Sequence, residues 1–363
     1  MAFDAERAAH PIPTRLRFDG LTIGFPVVQA ALSGYSDWPM RAVARAHGAD
    51  YAVCEVMLDQ FLIALRNRRK TRHFLHIGPD EHPVGGQLMG SEPDQFAHGA
   101  RRLVDAGFDV IDINFGCPVR KVLGRCRGGF HLSQPVTALE IIRRTRDAVP
   151  AAIPVTLKMR RGIDDSQSSR DRFFTILDGA FAEGVAAVTV HPRTVEQGYA
   201  GPSRWDFLRD VKRHVGARVI LGSGDLFSAR DCIDMMTRTG VDGVTAARGA
   251  IGNPWIFRQA RELAADRPLP PPPTVREQRD VLRAHVELAV MLHGPDRAIV
   301  SMRKSLARYA ASHPEYLDVR SELVRVGTLD DLESVIDRWY ARDRAGRYPE
   351  PVERRGEREA RDG

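Results

Sequence analysis

Eight short apolar segments within the first 250 residues constrain the fold of this chain more than any other feature. Many are rich in β-branched residues, and the spacers between them, for example 92–106 and 136–148, have the periodicity of amphipathic helices. Eight strand–helix units of this size are typical of a (β/α)8 TIM barrel. An open doubly wound sheet is the alternative, but it does not by itself explain why polar groups end so many strands. The predicted strands are 27–32, 51–57, 83–89, 110–116, 154–160, 186–191, 218–224 and 243–248.

The composition and the hydrophobic pattern of the sequence change after residue 262. Pro268 and Pro270 to Pro273 predict a stiff, extended linker, because proline fixes φ and has no N–H to donate. Helical periodicity without strand signals follows, and the charged C-terminal segment has the composition of a disordered tail. The predicted division is a barrel over 1–262, which includes an N-terminal hairpin placed to plug the barrel floor, a linker over 263–273, a helical domain over 274–340 and a tail over 341–363.

Several classes of protein are disfavoured by composition. We find no apolar run near the roughly 18 residues that a membrane span needs, and the N-terminus lacks the apolar region of a signal peptide, so we expect a cytoplasmic protein. The cysteines have no paired CxxC spacing, so neither a zinc site nor a structural disulfide is expected, and no metal is predicted. The four cysteines are Cys54, Cys117, Cys126 and Cys232.

The formal net charge is +6, and the basic residues are locally clustered. Such a cluster is typical of a protein that binds a polyanion, although a solvated face is an equally good interpretation of the stretch taken alone. The clustered cations are Arg66, Arg68, Arg69, Lys70 and Arg72.

Polar side chains end several of the predicted strands. In a TIM barrel the C-terminal ends of the strands face the active site, so we expect these groups to converge on one rim. They are Gln87 after the third strand, Asn114 and Cys117 after the fourth, Lys158 after the fifth, and His191 and Arg193 after the sixth.

Glycine-rich segments follow the seventh and eighth strands, at Gly222-Ser223-Gly224-Asp225 and Arg248-Gly249. A phosphate commonly binds at this place in a TIM barrel, because backbone N–H groups reach the anion where no Cβ intervenes. Arg248 can add a guanidinium to the same phosphate. A cofactor with one phosphate is therefore predicted, with Lys158 and Gln87 placed to hold a polar ring edge such as that of a flavin.

The whole arrangement resembles the tRNA-dihydrouridine synthase family, FMN-dependent barrels with a C-terminal helical domain. The resemblance runs from about residue 20 to 340, and its most family-specific part is Asn-x-Gly-Cys-Pro followed by two cations and Val. It is carried by QAALSGYSDWPMR (29–41), GGQLMG around Gln87, DINFGCPVRKV (112–122), LKMRRG (157–162), VHPRTVEQGYAG (190–201), GSGDL (222–226), ARGAIGNPWIF (247–257) and MRKSLARY (302–309).

The resemblance implies a reaction. FMN, reduced by NADPH, would pass hydride to C6 of a uracil in tRNA, and Cys117 would protonate C5 from the opposite face. A thiol with a pKa of about 8.5 is mostly protonated at neutral pH and suits this task. Asn114 would steady the base or the flavin, and His191 and Arg193 would contact the flavin phosphate or the base.

The resemblance also implies which residues bind each partner, and a monomer is the default expectation. The target base must leave its stack to reach the thiol. The residues implied for RNA are Asn114, Arg120, Lys121, Arg193, Arg303 and Lys304. Those implied for FMN are Ala31, Leu32, Gln87, Asn114, Lys158, His191, Gly222, Ser223, Gly224, Asp225, Ala247, Arg248 and Gly249.

Some positions depart from the family pattern. Cys126 stands where a small residue is usual, which is either a tolerated substitution or a partner for Cys117 under oxidation. Ser223 and Ala247 replace the usual Asn and Gly in the predicted phosphate site. Two other functions stay open: an FMN-dependent reductase of a small molecule, and an RNA-binding protein that has lost catalysis.

Overall fold

The computed structural model describes residues 10–66 and 71–350, and its centre is a closed barrel of parallel strands. The strands are β1 (Leu16–Phe18), β2 (Leu21–Gly24), β3 (Val27–Gln29), β4 (Ala52–Val53), β5 (Met57–Leu58), β6 (Val84–Met89), β7 (Val110–Phe115), β8 (Val155–Arg160), β9 (Ala187–His191), β10 (Val219–Ser223) and β11 (Gly243–Ala246). The barrel runs β3-β4-β6-β7-β8-β9-β10-β11 and closes between β11 and β3, which confirms the predicted fold class.

Six of the predicted strands agree with the structure to within two residues at each end, and the first two differ more. The first ends at Gln29, and the second is divided into β4 and β5. The division arises because the chain between β4 and β5 bonds to other partners: Cys54 N donates to Gly85 O at 2.8 Å, and Glu55 N donates to Ser36 O at 3.2 Å. The sequence pattern alone does not reveal this interruption, since both pieces are apolar.

Helices alternate with the barrel strands, and after β11 only helices follow. Several begin at side-chain caps, and α8 and α10 have complete capping boxes at Ser228 with Asp231 and at Thr274 with Glu277. The helices are α1 (Trp38–Ala46), α2 (Asp59–Ala64), α3 (Pro93–Asp105), α4 (Arg120–Leu123), α5 (Pro135–Ala148), α6 (Gln167–Ala182), α7 (Trp205–Val215), α8 (Ala229–Thr239), α9 (Trp255–Ala264), α10 (Val275–His293), α11 (Pro295–Tyr309), α12 (Tyr316–Leu323) and α13 (Leu329–Trp339). None of these helices is both long and apolar enough to cross a membrane.

The hairpin of β1 and β2 covers one end of the barrel. Leu16 and Phe18 are buried, whereas Arg17 between them is exposed. The two apolar side chains form a small cluster with residues from the N-terminal parts of the barrel strands, including Tyr51 and Val110. The hairpin therefore plugs the floor of the barrel and leaves the opposite rim open.

The helical domain has its own apolar core and lies against the barrel. Its core is built from α10 to α13, and α10 packs on α1 of the barrel. The domain also reaches the open rim, where Lys304 Nζ lies 5.9 Å from the centre of the Tyr35 ring. After a turn at Ala265 and Asp266, chain without regular secondary structure from Arg267 to Thr274 connects α9 to α10.

The tail differs from the prediction of disorder over 341–363. Residues 341–350 run extended along the linker and the helical domain. Arg344 O accepts from Val275 N, Arg347 N donates to Ser312 O, and the Tyr348 hydroxyl donates to Pro270 O at 2.6 Å. Most of these bonds use the backbone, which a prediction from composition does not take into account. Residues 351–363 lie outside the described residues.

The plug predicts a matched pair of stability effects. Phe18→Ala should lower the free energy of unfolding by about 3–5 kcal/mol, because it removes a buried ring from a packed cluster. Arg17→Ala, one residue earlier on the exposed face, should change it by only about 0.5 kcal/mol. Denaturant unfolding of both variants measures the difference, and equal effects would contradict the assignment of the hairpin as a plug.

Candidate active site

A buried carboxylate organises the polar groups of the open rim. Gln87, Asp112 and Thr156 lie side by side on β6, β7 and β8. Asp112 Oδ2 accepts from Gln87 Nε2 and Oδ1 accepts from the Thr156 hydroxyl, both at 2.6 Å. Burial raises the pKa of Asp112, while the two donors act against that rise. Because its amide N–H faces the carboxylate, Gln87 must turn its carbonyl oxygen toward the rim.

The side chain of Asn114 links Gln87 to the loop that contains Cys117. Its Nδ2 donates to Gln87 Oε1 at 2.7 Å, and its Oδ1 accepts from Gly116 N at 2.9 Å. Cys117 follows directly, half-buried, and its carbonyl accepts from Gly129 N at 3.0 Å. The amide of Asn114 is therefore engaged at both ends, and it holds the backbone that presents Cys117.

The glycine-rich loop behind Cys117 is packed rather than open. A Cβ at Gly128, which has φ +59°, would lie 2.8 Å from Cys117 Cβ, so only glycine fits there. Gly128 and Gly129 are buried, whereas Gly124 and Cys126 are exposed. Arg120 and Lys121 are exposed on α4, beside the thiol loop.

His191, at the end of β9, lies among cations from β8 and from the loops at the rim. The pKa of His191 is held well below its usual range by burial first and then by Lys158, Arg160, Arg193 and Arg248, so the imidazole is neutral. Burial and the charge of Arg160 lower the pKa of Lys158 to about 8. Burial also lowers the pKa of Arg160 to about 10. This corner of the rim is therefore strongly positive.

Arg160 is a site residue to which the sequence analysis assigned no role, although it is part of the quoted motif LKMRRG (157–162). It is buried, and its guanidinium donates to Gly116 O at 2.9 Å, Thr194 O at 2.8 Å and Gly198 O at 2.7 Å. These bonds tie the residue before Cys117 to the loop after β9. The available signal was strand alternation, since Arg160 lies two residues after Lys158 on the same face of β8.

The segments after β10 and β11 form a glycine cradle beside His191. A Cβ at Gly224, which has φ +102°, would lie 3.0 Å from His191 Nε2. That nitrogen is buried, and no hydrogen-bond partner for it is present in the part of the chain described. Ser223 is buried, Ala247 is half-buried, and Gly249 packs against the Leu226 backbone. Gly222, under the cradle, packs against Met235.

Arg193 and Asp225 are paired with each other. Arg193 is fully buried, and its guanidinium donates to both carboxylate oxygens of Asp225 at 2.7 Å and to Gly201 O at 3.1 Å. Arg248 lies 3.6 Å from the same carboxylate, with its guanidinium 4.6 Å from the centre of the Tyr199 ring. The Arg193–Asp225 pair therefore holds the glycine-rich segment after β10 in place. Arg248 lies at the edge of this segment and is partly exposed.

The remaining predicted residues lie around the rim. Ala31 and Leu32 are half-buried in the loop after β3, where Leu32 N donates to the Ser36 hydroxyl at 2.8 Å. Arg303 and Lys304 are exposed on α11. Of the basic cluster, Arg66 is exposed, while Arg68, Arg69, Lys70 and the Arg72 side chain lie outside the described residues. No group of three His, Cys, Asp or Glu side chains suited to a metal is found within 10–66 and 71–350.

The rim of this TIM barrel combines a half-buried thiol, an ordered pair of amides and a positively charged glycine cradle. These features are typical of an enzyme that binds a phosphorylated cofactor. Comparison with known proteins is more specific. The family model for dihydrouridine synthase matches residues 28–342. The chain therefore belongs to the dihydrouridine synthase family, and the predictions of the family, of uridine reduction and of a flavin-dependent oxidoreductase are confirmed.

Individual relatives support the same assignment. A probable tRNA-dihydrouridine synthase of Mycobacterium tuberculosis is 35% identical, over 92% of this chain and 86% of the relative. The tRNA-dihydrouridine synthase B of Xanthomonas campestris is 33% identical, over 85% of this chain and 90% of the relative.

Solved structures share the fold. Histamine dehydrogenase from Rhizobium matches with a TM-score of 0.54 at 12% identity, over 76% of this chain and 50% of that one. Morphinone reductase matches with a TM-score of 0.53 at 10% identity, over 72% of this chain and 93% of that one. At these identities the likeness concerns the barrel.

The carboxylate network predicts a graded loss of cofactor binding. Asp112→Ala leaves two buried donors unpaired, at a cost of about 1–3 kcal/mol each, and frees Gln87 to rotate. Asp112→Asn keeps one oxygen for Gln87 and should be milder. Thr156→Val, the control, leaves the Gln87 contact intact. FMN titration should give a large loss of affinity for the alanine variant alone; equal losses in all three would contradict the orienting role.

Lys158 predicts a pH dependence. With its pKa lowered to about 8, the ammonium is mostly charged at pH 7 and loses its charge as the pH rises through 8. FMN affinity should therefore fall between pH 7 and pH 9. Lys158→Met lacks this titration and should bind FMN weakly, with a flat profile over the same range. A wild-type profile that is also flat would contradict the placement of Lys158 at the flavin.

Proposed function

We propose that this chain reduces uridines in tRNA to 5,6-dihydrouridine, with FMN in the rim cradle and Cys117 as the proton donor. The observation that carries the proposal is the half-buried Cys117 thiol, whose backbone is fixed by Asn114 beside the positive cradle. The names of the Mycobacterium and Xanthomonas relatives support tRNA as the substrate.

The residues of the rim fit FMN. The buried His191 Nε2 lacks a partner among the described residues, and it lies beside Gly224, where a Cβ would come within 3.0 Å of this nitrogen and closer still to Ser203 Oγ. Arg248 and the backbone at Gly224 and Gly249 would hold the phosphate, supported by Ser223 and Ala247. Lys158, Gln87 and Asn114 would hold the polar edge of the ring, and Ala31 and Leu32 would border it.

The chemistry divides between cofactor and protein. When bound in the rim, FMN would supply the hydride for C6 of the uracil, with NADPH as the source of electrons. Cys117 transfers its thiol proton to C5, and its position relies on the backbone bonds made by Asn114 and Arg160. The positive charge of Lys158 favours negative charge on the flavin ring. Arg193, engaged with Asp225, orders the cradle rather than contacting substrate directly.

RNA binding uses the exposed cations on both sides of the rim. Arg120 and Lys121 on α4 and Arg303 and Lys304 on α11 would contact phosphates, so that the helical domain holds the body of the tRNA. The target uridine would leave its stack and enter the barrel mouth. We further propose a monomer that acts in the cytoplasm.

A pair of thiol variants tests this function. Cys117→Ala should stay yellow, accept electrons from NADPH and bind tRNA, yet form dihydrouridine at least about a hundredfold more slowly, because the general acid is missing. Cys126→Ala, the control, removes an exposed thiol from the same loop and should keep wild-type activity. Quantitative nucleoside analysis of unmodified tRNA after reaction gives both rates. Full activity of Cys117→Ala would rule out Cys117 as the donor.

A further inference from the structure

We infer that Arg127 is a positioning residue that, through Gln60 on α2, anchors the segment behind Cys117 and thereby sets the place of the thiol. The inference rests on the proposed role of Cys117. Arg127 is buried although it belongs to the loop at the barrel mouth, and its Nη2 donates to Gln60 Oε1 at 2.9 Å. A buried guanidinium bound to an exposed side chain on another element is an anchor between the two.

The residues on either side of Arg127 set the course of its backbone. Cys126 has φ +54° and Gly128 has φ +59°, so left-handed residues lie on both sides of Arg127. A non-glycine residue in that region is strained and persists only where surrounding contacts require it. The turn points the Arg127 side chain inward, away from the exposed cations that precede it on the loop.

Gln60 is itself held in place. It lies in the first turn of α2, and its backbone N–H donates to Asp59 Oδ1 at 2.6 Å. Asp59 is completely buried and packs so closely on Gly90 that any Cβ there would collide with its carboxylate. The anchor point therefore belongs to the packed barrel, although the Gln60 side chain is exposed.

The anchored segment touches the thiol loop directly. Gly128 packs on Cys117 Cβ and Gly129 N donates to Cys117 O, while His131 Nε2 lies 3.0 Å from Gly90 O. A displacement of Arg127 would therefore reach Cys117 across a single residue. Arg160 holds Gly116 from the other side, so Cys117 lies between two arginine anchors.

The test uses the exposed partner, because its substitution does not disturb the core. Gln60→Ala removes the acceptor, Gln60→Glu keeps an oxygen for Arg127, and Arg125→Ala removes an exposed cation of the same loop as a control. The measurement is the rate of Cys117 alkylation by iodoacetamide, followed by mass spectrometry. Arg120, Lys121 and Arg125 place Cys117 and Cys126 in separate tryptic peptides.

The expected result is a change in alkylation rate of severalfold for Gln60→Ala, together with a kcat on the order of tenfold lower and little change in KM for tRNA. Gln60→Glu and Arg125→Ala should alkylate at the wild-type rate. A Gln60→Ala protein with wild-type alkylation and kcat, or an equal change in Arg125→Ala, would overturn the inference. If Cys117→Ala proves active, the proposed role of Cys117 as proton donor fails, yet the alkylation rates of the wild-type thiol still report whether Arg127 anchors the loop.

Discussion

The buried carboxylate of Asp112 is the group on which the rest of the site depends. It fixes Gln87, Gln87 fixes Asn114, and Asn114 fixes the backbone that enters Cys117. The order has one direction because a carboxylate can only accept: the NH2 group of Gln87 faces Asp112, which leaves its carbonyl oxygen to accept from Asn114 Nδ2. The barrel interior tolerates this carboxylate because two short hydrogen bonds compensate for its burial. The polar order of the rim therefore begins inside the barrel.

The second constraint is the positive charge gathered around His191. Buried cations are costly unless they are paired, and the structure pairs Arg193 with Asp225 while Arg160 is satisfied by backbone carbonyls. Burial and the neighbouring cations also lower the pKa values of Lys158 and His191. A bound anion would relieve this repulsion, which is why the same corner is suited to a phosphorylated, electron-accepting cofactor. The glycine-rich segments after β10 and β11 lie beside these cations.

The sequence predicted the repeating architecture and the chemistry of the strand ends, because both depend on local pattern. Alternation and spacing are sufficient to find eight strands, and a parallel barrel necessarily brings their C-terminal ends together. Contacts between distant elements were not predictable in this way. The Arg127 bond to Gln60 joins residues 67 positions apart, and the Arg160 bond to Gly116 joins residues 44 apart. The backbone bonds that order residues 341–350 have no signature in side-chain composition.

Uridine reduction in tRNA by this chain is tested by the dihydrouridine content of tRNA, mapped by position, from cells with and without the gene. One or a few positions should lose dihydrouridine in the deletion strain and regain it when the wild-type gene is restored. An unchanged map, with a purified protein that still binds flavin, would contradict tRNA as the substrate.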